Sequence, residues 1–409
     1  MTDDRIDDRV DDYVEGDTVE LTVGAPAHGG HCVARIGGEH GRVVFVRHAL
    51  PGERVTAEIT ELHKGYLRAD AVEVHEPSPD RVPQPCPWAR PHLCGGCDLQ
   101  HVAEDAQLDW KTAVVREQLA RMAHLSDQEI DRLDVRVHRL PGGTLGWRSR
   151  VRYAVDAAGR AGLLQHRSHQ VVPIDRCRIA HPVIQELDIT TRVWPEAGTI
   201  QAVASTGGDV SVLTDDTVLS GPPEVREVAA GREWSVPPEG FWHVHPAAAD
   251  TLVAAVLELL DPAPGEVSWD LYGGAGLFAA ALAGRTGART TVVESSPAGV
   301  AAARRNLADL SGVEVVAAKV DAALSRRRVT GPVDLVVLDP PRTGAGARVA
   351  RAVAAAGPRA VAYVACDPVA LARDVVTFRD RGYELAVLRG YDCFPMTQHI
   401  ECVALFVPH

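Results

Sequence analysis

Residues 267–284, VSWDLYGGAGLFAAALAG, and residues 289–294, RTTVVE, decide how this chain folds. Val267 to Leu271 reads as a short apolar strand that runs into Tyr272-Gly273-Gly274-Ala275-Gly276, and Leu277 opens an Ala-rich helix. A glycine-rich turn between a strand and a helix lets a ligand approach the backbone and places it near the helix N-terminus. The next strand ends in Glu294, about 20 residues after the glycines, where a carboxylate accepts hydrogen bonds from ribose hydroxyls. The turn lacks the third glycine of GxGxxG, so a pyrophosphate cradle is not required. On these residues alone a dinucleotide dehydrogenase and an S-adenosylmethionine enzyme stand equal. Asp321, in AKVDAAL, follows a third strand; it reads either as an adenine contact, common in methyltransferases, or as an exposed helix cap. Strands VDLVVLDPPRTG (333–344) and RAVAYVAC (359–366) continue the alternation, so residues 241–409 are expected to form a doubly wound, Rossmann-like α/β domain.

Upstream the text changes twice. Residues 1–14 carry six aspartates and read as a solvated, disordered acidic tail. Residues 15–76 hold short β-rich runs (VELTV, GRVVFV, RVTAEIT, LRADAVEV) between Gly, Pro and charged turns, the pattern of a small five-stranded OB-like barrel. Such a barrel is a common oligonucleotide-binding scaffold, or a purely structural module. Residues 77–240 read as a central α+β unit. It opens on a Pro-, Gly- and Cys-rich stretch that regular structure does not hold together and a metal would. It continues with an amphipathic helix marked by Leu108, Val115, Leu119 and Met122, then with punctuated strands.

Composition narrows the setting. The chain has 409 residues, 46% hydrophobic and 24% charged, and no apolar run approaches the roughly 20 residues that span a bilayer. An acidic start without an apolar leader points to a cytoplasmic protein that makes no membrane contact, read here as a monomer. Eight cysteines in a reducing compartment read as metal ligands, catalytic groups or buried thiols. The net charge of -13 means that any RNA site must be a local basic patch. The arginines between 136 and 178 supply one, and alternation at Arg148, Arg150 and Arg152 puts three of them on one strand face, with Arg167 nearby.

The chemistry-bearing residues gather at strand ends. Asp339-Pro340-Pro341-Arg342 closes the fourth strand, where open α/β sheets put their ligands, and the two prolines stiffen the turn. Cys366 closes the fifth, just before Asp367-Pro368 opens a helix whose dipole favours thiolate. Without that helix, such a cysteine reads as a small buried hydrophobe. Glu401 starts the last strand, ECVALFV, and would otherwise be a solvated edge residue.

DPPR (339–342), YVACDPVALARD (363–374), FPMTQHIE (394–401) and CGGCDLQH (94–101) closely resemble the RNA 5-methyluridine methyltransferases, and the N-terminal barrel resembles that family's TRAM domain. The resemblance implies an S-adenosylmethionine-dependent enzyme acting on a uridine of rRNA or tRNA, with Cys366 as nucleophile at carbon 6, Glu401 as the base that removes the carbon 5 proton, and Asp339 holding the uracil edge and the cofactor region. It also implies cofactor contacts from His243, Tyr272, Gly274, Glu294, Asp321 and Asp339. Tyr272 and Glu294 match the family, whereas Phe241-Trp242-His243 replaces its F-x-Q and Leu277 its Asn. Cys86, Cys94 and Cys97, with Cys177 as a fourth thiol, suit zinc or a 4Fe-4S cluster by spacing, and the resemblance favours the cluster. Two rival readings remain at this stage: a methyltransferase for a small molecule or protein with Cys366 structural, and an RNA-binding metalloprotein without activity.

Overall fold

The structure is a computed structural model that describes residues 13–38 and 40–409. The acidic tail lies outside them up to residue 12. Among the described residues no helix is long and apolar enough to cross a membrane.

Strands Thr18–Thr22, Pro26–Ala27, His31–Ile36, Arg42–Arg47, Arg54–Leu62 and Tyr66–Glu76 form the first sheet. Its two edges belong to one short segment. Thr18–Thr22 pairs with Arg54–Glu58, and Pro26–Ala27 pairs with His31 and Cys32, so the sheet rolls closed. Alternate residues point inward, and Val44, Val46, Val55, Ala57, Ile59, Leu67 and Ala69 fill the interior. The sixth strand, beyond the five expected, is two residues long and shows no alternation to read.

A second sheet joins Arg150–Val155, Ala161–Leu164, Val171–Pro173, Thr199–Ala204, Val210–Thr214 and Thr217–Ser220, all in antiparallel pairs. Its core takes in Trp147, Tyr153, Ile179 and Ile200 together with Cys86, Cys97 and Cys177.

The third sheet has eight strands. Ser268–Leu271 lies between Thr290–Glu294 and Leu335–Leu338, with Val313–Ala317 and Ala360–Ala365 outside them, all parallel. Glu401–Pro408 enters antiparallel beside Ala360–Ala365 and is followed by Tyr383–Asp392. The eighth strand, Val137–Arg139, comes from the segment read as the central unit. It lies parallel to Tyr383–Asp392 where Gly390 opposes Val137, and a Cβ at Gly390 would come within 2.6 Å of the valine. The helix Glu104–Met122 and the hairpin Val225–Val236 also pack on this domain: Trp110, Val115 and Leu119 share a core with Leu371, Val375 and Phe378, and Trp234 and Val236 share one with Leu252 and Val256. The three units therefore interleave along the chain rather than following one another. The helix buries Gln107, Trp110, Lys111, Val114, Val115, Gln118 and Leu119, a stripe that includes two of its four expected apolar markers and adds three polar residues.

Candidate active site

Register builds the site. Leu271 pairs with Leu338, so Tyr272 and Asp339 are both the first residues beyond their strands, and Asp339 N donates to Leu271 O at 3.2 Å. Ala365 pairs with Cys402, so the next residues outward, Cys366 and Glu401, face each other across adjacent strands. An antiparallel last strand is what delivers Glu401 to this edge; a parallel one would have put its other end there.

All of these groups open onto a single cleft of about 1010 Å³, lined by His243, Tyr272, Gly274, Glu294, Asp321, Asp339, Arg342, Cys366 and Glu401 among others. Along one side of it the glycine turn needs positive φ at Gly274 (52°) and Gly276 (95°), and Tyr272 itself stands at 67°. Glu294 fastens the turn: its Oε2 accepts from Gly274 N at 3.0 Å, while Oε1 accepts from Ser295 N and Ser296 N. A carboxylate has about four lone-pair sites, so room remains for hydroxyl donors. Asp270, fully buried beneath the turn, accepts from Ala279 N at 2.8 Å, and its Oδ1 has no partner among the described residues. Burial, with the nearby Glu294 adding to it, pushes its carboxyl up to about 7. Burial alone holds the His243 imidazole down at about 4, so it is neutral and offers one donor and one acceptor to the cleft.

The same cleft holds a cluster of acids. Burial, then the carboxylates Asp270 and Glu294, push Asp339 up to about 8. Burial and Asp339 hold Glu401 well above the usual carboxyl range against the opposing Arg342 guanidinium, and Glu401 Oε1 is buried without a partner among the described residues. Burial, then Glu401 and Asp339, push the half-buried Cys366 thiol up to about 12. This reverses the thiolate expected from the helix N-terminus. The helix Pro368–Arg379 does start there, but Asp367 caps it, accepting from Val369 N and Ala370 N, each at 2.9 Å, so a carboxylate already occupies the positive end. His28 of the barrel reaches Asp367 from outside, with Nε2 3.3 Å from its carboxylate. Arg342 is exposed and stands 3.4 Å from His399 Nε2, an imidazole that burial and the guanidinium hold down at about 3. This part of the cleft thus gathers two carboxyls and a thiol that burial raises above their ordinary ranges, beside one permanent cation.

Residues 14–72 match the TRAM domain family, and residues 245–408 match the tRNA (uracil-5-)-methyltransferase family. An uncharacterized RNA methyltransferase of Streptomyces avermitilis is 46% identical, with 96% of this chain and 99% of that protein aligned. One from Bifidobacterium longum is 37% identical over 95% and 96% of the two chains. The chain belongs to the RNA (uracil-5-)-methyltransferase family. A solved structure of similar fold is the Pyrococcus abyssi tRNA (uracil-54, C5)-methyltransferase in complex with S-adenosyl-L-homocysteine, with TM-score 0.70 and 23% identity over 95% of this chain and 100% of that one. Family membership makes this an S-adenosylmethionine-dependent RNA methyltransferase.

The four cysteines named for a metal in this methyltransferase line one small cavity of about 20 Å³, together with Arg148, Arg176 and Arg178. Among the described residues, no group of three or more His, Cys, Asp or Glu side chains is placed to hold a metal ion as it stands. The arginines read as one RNA-binding face have four different settings. Arg150 is buried, paired with Glu227 at 2.9 Å and donating to the carbonyls of Pro238 and Gly240, so it holds the loop before His243 and is not available to a phosphate. Arg148 lines the cysteine cavity, Arg152 is exposed beside Asp216, and Arg167 reaches Glu61 of the barrel at 3.3 Å. Strand alternation assigns Arg150 a face but not what covers it, and its partner Glu227 lies in a hairpin more than 70 residues away in sequence. Asp270, His399 and His28 were not picked out from the sequence. An acid inside the apolar run SWDL signals the first, and the second lies within FPMTQHIE, but nothing local marks His28.

Proposed function

We propose that this enzyme forms 5-methyluridine in tRNA or rRNA through a covalent adduct between Cys366 and the target base. The observation that carries the proposal is the pairing of Ala365 with Cys402, which sets Cys366 opposite Glu401 in a cleft that the glycine turn also lines. Carbon 5 of uracil is a weak nucleophile. Addition of Cys366 at carbon 6 breaks its S–H bond, the proton passing to solvent, forms a C–S bond and moves the ring π electrons onto carbon 5 and its neighbouring carbonyl, making an enolate. When bound, S-adenosylmethionine supplies the electrophilic methyl and a positive charge beside the carboxyls. Glu401 then takes the carbon 5 proton; those electrons restore the ring double bond and expel the Cys366 thiolate. Asp339 holds the uracil edge, and Arg342 is the fixed cation that opposes the raised pKa of Glu401 and of Cys366. His243, Tyr272, Gly274, Glu294 and Asp321 are the groups proposed to hold the cofactor, since all line the same cleft as the glycine turn.

For the second site we propose a 4Fe-4S cluster held by Cys86, Cys94, Cys97 and Cys177. Four buried thiols converge on one cavity, and three arginines around it offset the charge that thiolate ligands would carry. The Pyrococcus protein is named for tRNA, which makes tRNA the first RNA to test.

Incubation of the enzyme with RNA and S-adenosylmethionine, followed by mass-spectrometric mapping, should show a methyl on carbon 5 of a uridine. Glu401→Gln keeps shape but cannot take the proton, so the enzyme should accumulate a denaturant-resistant, slow-migrating complex with RNA that requires Cys366 and contains the transferred methyl. Rapid turnover of this variant with no trapped species would assign proton removal to another group.

A further inference from the structure

The segment 393–400, CFPMTQHI, carries Phe394 and His399 into the cleft and hands the chain on to Glu401. It is irregular, with Met396 at φ +66°, so its shape must be fixed from outside. The helix Glu104–Met122 holds its first half: Lys111 Nζ donates to Asp392 at 2.6 Å and to Phe394 O at 3.1 Å, and Gln107 accepts from Met396 N at 3.0 Å. The second half is held from the cysteine loop. Asp98, next to Cys97, accepts from Gln398 N at 3.2 Å through Oδ2 and from Arg47 of the barrel at 3.3 Å through Oδ1. Leu99 N adds a bond to Met396 O at 3.0 Å. Asp98 itself has little freedom, because Gly30 of the barrel packs so closely that a Cβ there would lie 2.9 Å from its Cβ and Cγ.

We infer that Asp98 is a positioning residue for the reaction, fixing Gln398 and through it the placement of His399 against Arg342 and of Glu401 opposite Cys366. This rests on the proposed roles of Cys366 and Glu401. It makes the cysteine loop a mechanical part of the end of the cleft that holds Cys366 and Glu401. The two oxygens of Asp98 do separable work: one orients the catalytic segment, and the other balances a buried guanidinium. Substitution can divide them. Asp98→Ala removes both. Asp98→Asn keeps a carbonyl oxygen for Gln398 N and removes the charge beside Arg47.

The test compares wild type, D98A and D98N in methyl transfer to RNA lacking the modification, in thermal stability, and in amide hydrogen exchange of residues 397–401. D98A should lose about 10- to 100-fold in kcat, the scale of a small misplacement of reacting groups, with the KM for S-adenosylmethionine unchanged to about twofold. Its 397–401 amides should exchange faster. D98N should melt lower than wild type yet keep protected amides and most of the wild-type kcat, which a merely structural aspartate would not allow. The inference is overturned if D98N is as slow as D98A, with kcat tracking stability, or if D98A turns over normally or leaves exchange at 397–401 unchanged. Exchange is read without turnover, so failure of wild type to methylate uridine would refute the mechanism while leaving this contact to be decided by the exchange data.

Discussion

Cys366 differs from the other seven cysteines in being only half buried, and its thiol is held up where a nucleophile is expected to be held down. The causes are burial and the carboxyls of Glu401, Asp339 and Asp367, of which the first two are themselves raised, Asp339 to about 8. The free enzyme should therefore be protected from adventitious oxidation and alkylation, since only the thiolate reacts. Iodoacetamide labelling of Cys366 in cofactor-free protein, followed by peptide mass spectrometry, should rise about tenfold per pH unit from pH 7 to 10 without levelling, as a thiol near 12 requires. A plateau below pH 8 would show that the helix start prevails over Asp367 and the carboxyls. In the same assay series Cys366→Ala should abolish methyl transfer and leave S-adenosylmethionine affinity within a few-fold, because the proposed role of the thiol is toward uracil and not the cofactor. Residual methylation by that variant would rule out the covalent route.

At the level of elements, what was legible was what the chain writes locally. The strand end at Glu294, the strand ends one residue before Asp339 and Cys366, and the helix starts after Gly276 and Asp367 lie within a residue of where alternation, glycine and capping residues put them. Contacts between distant elements were not legible. Lys111 and Gln107 read as polar positions on an amphipathic helix, yet their partners lie 281 and 289 residues away. Arg150 read as a phosphate ligand because alternation specifies a face and not what covers it. Asp270 shows the same limit, for its strand and helix were plain while its isolation from solvent was not. Its raised pKa makes a pH prediction. Between the unfolded value near 4 and the folded value near 7 the folded protein holds a proton that the unfolded chain has lost, so this contribution to stability is complete below about pH 4 and disappears as pH rises past about 7. Asp270→Asn keeps an acceptor for Ala279 N and cannot ionise. The variant should lose less stability than wild type between pH 5 and 8 in cofactor-free melts, by about 1 kcal/mol or more across that window. Parallel stability profiles for the two proteins would mean that Asp270 is ionised in the fold.

At the scale of the whole molecule, the barrel, the central sheet and the methyltransferase sheet meet at the cysteine loop. Cys86, Cys94 and Cys97 belong to the stretch that leaves the barrel, Cys177 belongs to the segment after the strand Val171–Pro173, and Asp98 bonds both Arg47 and Gln398. Regular structure does little to hold residues 77–100, so an inorganic crosslink between this stretch and Cys177 would constrain the unfolded chain as well as the folded one. The proposed cluster has a direct compositional consequence. Protein purified without oxygen should be brown and contain about four irons and four sulfides per chain, the content of a cluster held by four thiolates. Stoichiometric zinc in colourless protein would overturn the assignment. Removal of the proposed cluster by chelator and oxidant should leave Arg148, Arg176 and Arg178 around a cavity in which burial raises Cys94 to about 11 and holds Cys97 and Cys177 above the usual thiol range. The unbalanced positive charge of these arginines then adds to the loss of the crosslink. The cluster-free protein and Cys94→Ser should both melt lower than the holoenzyme, and their RNA affinity should become more salt-dependent as those guanidiniums turn to the substrate. The order of loss on warming distinguishes a crosslink from a bystander. If the cluster staples the loop to the central sheet, amides of residues 94–100 and 174–180 should lose exchange protection together and before the core of the methyltransferase sheet; equal protection with and without iron would show that the protein fold alone holds the loop.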